Sequence, residues 1–524
     1  MTSGTDQAGV ARVAGGLPSG YRRTALSGYA LTLSSIFVAL IATPLLARGL
    51  GPERFGIWSV VGAGVLYLEV LELGFGAATI SAVADRAAVG DERGVRHAVA
   101  TSFWLLALPG LLAFGVSAAA AAALPHLLDI APADLPAARV LVLVLALDLA
   151  VSIPSDSFGG ALAALKRLDL ISLSLLVTGA AQALAWVVVL AQGGGLVALG
   201  VVTAVLGLAG QLSRFLLLRR IAPGLSLSVR EVQRDLVRPM ARISGWFALS
   251  DVNKIVVQRI DVLLVGAVVG IRAAGIYAVG QKLAVFVLRA VEPATVVFFP
   301  HVARLRALGD GDAVRATLLV GTRLTLAISA PLCLMLAFFA GPLLRLWVGS
   351  EYAAAVPVVV LLALAGVVGS IAASAQLVLK GLRQARAAGL GAALDATVNL
   401  GLSVVLGIAV GGWGIALATL VAACVAVVVL LPSACRHAGL PLGSLLGSLL
   451  RAHVPPAAAA AALAVLVRIL SPAPGLLVVH VGLLTRTALE PAARDDLRRR
   501  LGALRARVRR TDAAQPGPPA PPAP

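Results

Sequence analysis

The feature that most constrains this chain is a succession of apolar runs, each long enough to cross a bilayer. They fall at roughly 25–47, 57–83, 99–124, 138–163, 171–191 and 195–218, then at 243–268, 274–299, 317–340, 355–379, 387–409 and 412–432. Two shorter runs follow at 454–470 and 473–488. A helix needs about 20 apolar residues to span the hydrocarbon core. In lipid the backbone must satisfy its own hydrogen bonds, which leaves helices for segments of this length. With 59% hydrophobic and 13% charged residues in 524, the chain predicts an all-α polytopic membrane protein.

Charge then sets the topology. A net charge of +18 on a soluble chain would point to nucleic acid. Here most of the 43 Lys and Arg residues lie in alternate connections, including Arg86, Arg93 and Arg96, then Lys166 and Arg167, then Arg304, Arg306 and Arg315, then Lys380, Arg383 and Arg386. By the positive-inside rule both termini are cytoplasmic, which requires an even number of spans, 12 or 14, with 14 preferred. No nucleic-acid partner is expected; anionic membrane lipid is. Residues 1–24 read as a cytoplasmic tail without a cleavable signal, and 219–242 as a basic cytoplasmic linker whose VREVQRDL stretch suggests an amphipathic helix. Residues 434–488 read as an extra helix pair, and 489–524 as an Arg-rich, then Pro-rich, tail.

The chain also repeats. LGPERFGIWSV (50–60) aligns with VGIRAAGIYAV (269–279) at an offset of 219, and VGDERGVR (89–96) aligns with LGDGDAVR (308–315) at the same offset. Two parallel six-helix halves, 25–218 and 243–433, follow from this register, with the substrate site expected at their interface.

Charges inside the apolar runs mark the candidate site. The hairpin 244–300 carries Asp251, Lys254, Arg259 and Asp261 on its first arm and Lys282, Arg289 and Glu292 on its second. A charge at mid-bilayer costs about 2.5–3.5 kcal/mol on insertion scales, so such residues usually face a cavity or a partner. At 100° per residue, Asp251, Lys254, Gln258 and Asp261 share an arc of about 80°. Lys254, Arg259, Lys282 and Arg289 are the candidate ligands of a phosphate or pyrophosphate. Asp251, Asp261 and Glu292 are assigned to charge balance or ion coupling. Neutralising Asp/Lys and Arg/Glu pairs that fix helix packing are the competing reading. In the first half Glu69 and Glu72 lie on one face, i and i+3, and offer a proton or sodium site or a salt bridge to those cations. Asp148, Asp395 and Asn399 are further intramembrane polar residues, each read first as a packing hydrogen bond. At the offset of 219, Lys254, Lys282 and Arg289 pair with the uncharged Ser35, Ala63 and Val70. The two halves share a scaffold and differ in charge.

Other chemistry has little support. Asp310 and Asp312 resemble the DxD of glycosyltransferases, but their repeat counterparts Asp91 and Arg93 mark a solvated turn. No phosphate-binding GxxxxGK[ST] is present. Cys333, Cys424 and Cys435 have no ligand spacing, and no metal or catalytic set emerges.

Three segments resemble one known family. LARGLGPERFGIWSVVGAGVLYLEVLELGFGAA (46–78), QRIDVLLVGAVVGIRAAGIYAVGQKL (258–283) and LDATVNLGLSVVLGIAVGGWGIALAT (394–419) are similar to signatures of polysaccharide flippases of the multidrug/oligosaccharidyl-lipid/polysaccharide exporter superfamily. The resemblance implies two six-helix bundles around a central cavity and ATP-independent alternating access, driven by H+, Na+ or the membrane potential. It implies a non-enzymatic role, no bound cofactor, and an undecaprenyl-pyrophosphate-linked oligosaccharide as substrate, moved across the bacterial inner membrane. A polysaccharide polymerase and other export components are candidate partners. The family's acidic position before the Gly-rich end of helix two falls on Glu72, and that of its helix-seven signature on Asp261. A drug/cation antiporter of the same fold and a lipid II flippase are the rivals. A polysaccharide polymerase or ligase is a more distant one, disfavoured because the outer loops are short.

Overall fold

The computed structural model describes residues 19–72, 75–241, 260–296 and 298–453. Among them ten helices are long and apolar enough to cross a membrane, and the chain is a multi-pass membrane protein. The elements are α1 (Ser19–Tyr67), α2 (Phe75–Ala88), α3 (Glu92–Leu127), α4 (Leu135–Ala164), α5 (Leu168–Ala191), α6 (Leu196–Ile221), α7 (Ile271–Val296), α8 (Phe298–Ala307), α9 (Gly311–Trp347), α10 (Val356–Gly381), α11 (Ala385–Val410) and α12 (Gly412–Ala438). Residues 234–241, 260–268 and 442–453 are also helical. Short 3-10 segments occupy Leu68–Glu72, Val229–Glu231 and Ser350–Ala355. The sequence-predicted spans at 454–470 and 473–488 lie outside the described residues, as does most of the span at 243–268.

The turns carry the repeat. Gly90 and Gly309 take positive φ, 74° and 72°, and the next residue in each case caps a helix. Asp91 Oδ1 accepts from Gly94 N at 2.8 Å, and Asp310 Oδ1 accepts from Ala313 N at 2.9 Å. Both acids are N-caps, each satisfying one backbone donor. This disposes of the glycosyltransferase resemblance at Asp310 in favour of the solvated turn, where Arg315 pairs with the exposed Asp312 at 3.0 Å. Positive φ recurs at Gly51 and Gly270, at Lys166 and Arg383, and at Gly193 and Gly411.

The chain divides into two compact units. The first comprises Met1–Phe286, Ala340–Leu362 and Ala392–Ala422. Within it, the counterparts of the repeat touch. A Cβ on Gly56 would collide with the carbonyl oxygen of Ile271, and one on Gly275 with the carbonyl oxygen of Pro52 and, at 2.9 Å, with Gly56 N. Each of these contacts is the other shifted by 219. Glu53 and Arg272, also 219 apart, pair at 3.5 Å. A residue that meets its own counterpart lies beside a two-fold axis, so the internal two-fold passes here. Small residues let membrane helices approach this closely. Around it, Tyr352 Oη donates to Ala47 O at 2.8 Å and Trp347 Nε1 to Leu40 O at 2.8 Å.

Two sequence expectations are corrected in this unit. The predicted span 57–83 is not one helix: α1, bent at Gly51, ends at Tyr67, and a 3-10 segment carries Glu69 and Glu72 before α2 begins. The linker's VREVQRDL stretch is not one amphipathic helix either. Val229–Glu231 is a single 3-10 turn, and helix resumes only at 234. Besides short turns of its own, the linker's backbone bonds to side chains of α3. Gln233 N donates to Thr101 Oγ1 at 3.0 Å, and Trp104 Nε1 to Leu227 O at 2.8 Å. His97 sits 2.9 Å from Glu231 Oε2.

The second unit comprises Val287–Phe339, Ala363–Gly391 and Ala423–Pro524. Its core packs Val302, Leu318, Ala375, Leu379, Ala434 and Leu445. Gly366 admits Leu288 and Cys333, Gly391 admits Leu430, and Ser329 and Ser370 share a hydrogen bond at 2.8 Å. Cys333 and Cys435 are buried free thiols, as packing residues would be, whereas Cys424 is exposed.

Candidate functional site

Lys282 is held on α7, two turns past Gly275. Its Nζ stands 5.3 Å from the centroid of the Phe55 ring on α1. Phe55 is fully buried, and its ring meets Tyr352 edge-on at 6.3 Å. No described carboxylate lies within ion-pair distance of Lys282. A cation over an aromatic face gains about 0.5–2 kcal/mol. That falls short of the several kcal/mol that an ammonium costs away from water. The geometry therefore leaves a positive charge incompletely compensated beside an aromatic wall. Arg289, which belongs to the second unit, is exposed. Lys254, Arg259 and Asp251 lie outside the described residues, as does the side chain of Glu292.

Asp261 is built into a second constellation, in the same unit. It sits on the helical segment 260–268 and is 3% exposed. Tyr277 of α7 donates its hydroxyl to Oδ2 at 2.8 Å, and Thr419 of α12 stands 3.5 Å from the same oxygen. Asn399 of α11 donates Nδ2 to Thr419 Oγ1 at 3.1 Å. Oδ1 is buried and without a hydrogen-bond partner, as is Ser403 Oγ, one turn beyond Asn399. A buried carboxylate needs a countercharge or a proton. Two neutral donors on one oxygen, with the other open, are the chemistry of a site that takes up a cation. Of these residues the sequence reading singled out Asp261 and Asn399. It missed the Tyr277 hydroxyl and Thr419, which carry no signal in an apolar helix.

Glu69 and Glu72 remain i and i+3 on the 3-10 segment, where such side chains nearly eclipse. Both are engaged by neighbours. Glu69 is within electrostatic reach of Asp156 of α4, which in turn sits 3.6 Å from Arg214 of α6. Neither Asp156 nor Arg214 was singled out in the sequence. Arg214 lies near the end of its apolar run and reads there as a boundary charge.

Comparison with known proteins follows from this geometry. Residues 45–357 match the family described as polysaccharide biosynthesis protein. No curated protein matches. Among solved structures the chain is similar to a lipid II flippase, MurJ, in an inward closed conformation, with TM-score 0.68 at 12% identity over 89% of this chain and 96% of that one. It is similar to the inward-facing conformation of a multidrug resistance MATE transporter of the MOP superfamily, with TM-score 0.64 at 14% identity over 80% and 98%. The outward-facing conformation of a MATE transporter gives 0.55 at 13% identity over 79% and 96%. At these identities the likeness is one of fold. With the match covering more than half of its length, the chain belongs to the polysaccharide biosynthesis protein family, and its fold is that shared by the MurJ flippase and the MATE transporters.

Proposed function

We propose that this chain is a flippase that moves an undecaprenyl-pyrophosphate-linked oligosaccharide across the bacterial inner membrane, both termini cytoplasmic, by ATP-independent alternating access. The observation that carries the reading is Lys282, an intramembrane ammonium against Phe55 with no described acidic partner. A doubly anionic pyrophosphate supplies the charge that the site lacks, and Lys and Arg are its natural ligands. Arg289, Lys254 and Arg259 are assigned to the same headgroup from the sequence. Asp261, with Tyr277, Thr419 and Asn399, takes up the coupling cation, H+ or Na+. Glu69, Glu72, Asp251 and Glu292 are assigned to coupling or charge balance. A drug antiporter with cationic substrates would be ill served by a surplus ammonium.

The test is deletion and complementation in the source bacterium. Deletion should make lipid-linked repeat units accumulate on the cytoplasmic leaflet. Wild type should relieve this, while Lys282→Gln should restore ten-fold less surface polysaccharide or worse at equal protein level. Wild-type polysaccharide from Lys282→Gln would remove the headgroup assignment. Deletion that changes only drug tolerance would favour the antiporter, and arrest of peptidoglycan synthesis the lipid II reading.

A further inference from the structure

Asn399 belongs to a polar stripe on α11. Asp395, Asn399 and Ser403 follow one another at i, i+4 and i+8, which sets them on one face within an arc of about 80°. Exposure falls along that face. Asp395 is partly exposed, Asn399 is 2% exposed and Ser403 is fully buried. At the buried end Asn399 reaches Thr419, which stands beside Asp261. Ser403 Oγ lacks a hydrogen-bond partner there, as Asp261 Oδ1 does. The stripe therefore runs from the Asp261 constellation outward to a second carboxylate, one turn before Asn399.

Asp395 is out of place against lipid. It stands nine residues past Arg386 on the same helix, about 14 Å along the axis at 1.5 Å per residue. A carboxylate at such a depth is costly in hydrocarbon and belongs beside a partner or water. Among the described residues it has neither an ion pair nor a side-chain hydrogen bond. Asn399, on the same face, is enclosed by protein, so the face points inward. A partly exposed acid on an inward face at membrane depth marks a wetted opening. An acid that only glued helices together would be enclosed and bonded as Asn399 is.

The neighbouring charges sharpen this. Along 260–268, along α11 from Ala392 and along α12 as far as Ala422, the charged residues are Asp261 and Asp395 alone. The cations of α7 in this unit are Arg272, which pairs with Glu53, and Lys282, which lies over Phe55. An acid in an opening with low-dielectric walls raises the local concentration of small cations and the rate at which they arrive.

We propose that Asp395 is the mouth acid of the Asp261 site. It draws the coupling cation, H+ or Na+, from the side of the membrane that Arg386 marks, cytoplasmic in the orientation proposed above, with Asn399 between the two acids. Asp395 is a positioning residue: it sets how fast the cation arrives and leaves, while Asp261 sets whether it is held. The inference rests on the reading of Asp261 as the cation site.

The test is charge displacement on a solid-supported membrane carrying liposomes of the full-length protein, after a sodium jump at fixed pH and, separately, a pH jump without sodium. For the jump whose current Asp261→Asn abolishes, Asp395→Asn should slow the current about five-fold or more and leave the total displaced charge unchanged. Asp395→Glu should restore the wild-type rate. Added choline chloride should slow the wild type, because it screens the steering charge, and should not slow Asp395→Asn. Equal rates for wild type and Asp395→Asn would overturn the proposal and leave the Asp261 reading intact. So would loss of the displaced charge itself, or slowing that Asp395→Glu does not rescue. If neither jump gives a current that Asp261→Asn abolishes, the Asp261 reading fails and the proposal with it. If Asp395→Asn does not fold, the wild-type response to choline chloride decides, and a rate indifferent to that salt would overturn the proposal.

Discussion

Gly56 and Gly275 show what single residues do here. Each stands where a Cβ would meet backbone of the other repeat, which cannot yield as a side chain can. Gly275→Leu should destabilise the protein by roughly 1–3 kcal/mol or more, the range for overpacking a well-fitted contact, seen as a lower melting temperature in detergent. Gly62, on the same helix α1 with open space around it, should accept Ala with little change. Tyr277→Phe is a finer probe. It removes the donor to Asp261 and leaves a buried carboxylate short of a bond, at a cost of about 1–3 kcal/mol. Cation-coupled transport should fall while the fold survives. The sequence made Asp261 and Lys282 visible because charge in an apolar run is costly and therefore informative. Tyr277 and Thr419 were invisible because a hydroxyl in an apolar helix costs little until it is known what it faces. The register paired Gly56 with Gly275, but correspondence does not reveal contact; only the packing shows that the pair lies on the internal two-fold.

Among elements, the long apolar helices were legible from hydropathy, and their interruptions were not. Nothing in the composition of LYLEVLELGFG marks the 3-10 segment at Leu68–Glu72, since the apolar run continues through it. The linker 219–242 shows the same limit. Its helical pattern was real, but α3 offers Thr101 and a tryptophan donor, and tertiary bonds override a short helix whose nucleation is costly. Thr101→Val should leave the backbone N–H of Gln233 unsatisfied, costing about 1–3 kcal/mol. Limited proteolysis should then cut 219–242 faster than in wild type. The exposed Glu53–Arg272 pair should matter less. Glu53→Ala should change stability by about 1 kcal/mol or less, because such pairs are screened by water and salt.

For the whole molecule, the repeat read from two loop motifs holds its register of 219 at the turns of Gly51 and Gly270 and of Gly90 and Gly309, down to the capping acids Asp91 and Asp310. The halves differ in charge: the second carries Lys282 and Asp261 in its apolar runs, and the first Glu69 and Glu72. The most direct measurement of the central claim is translocation of a fluorescent polyprenyl-pyrophosphate oligosaccharide in proteoliposomes without ATP, under an imposed ion gradient. The account predicts gradient-dependent flipping by wild type and at least ten-fold slower flipping by Lys282→Gln. Equal rates for the two, or flipping of a neutral glycolipid as fast as the pyrophosphate one, would contradict it.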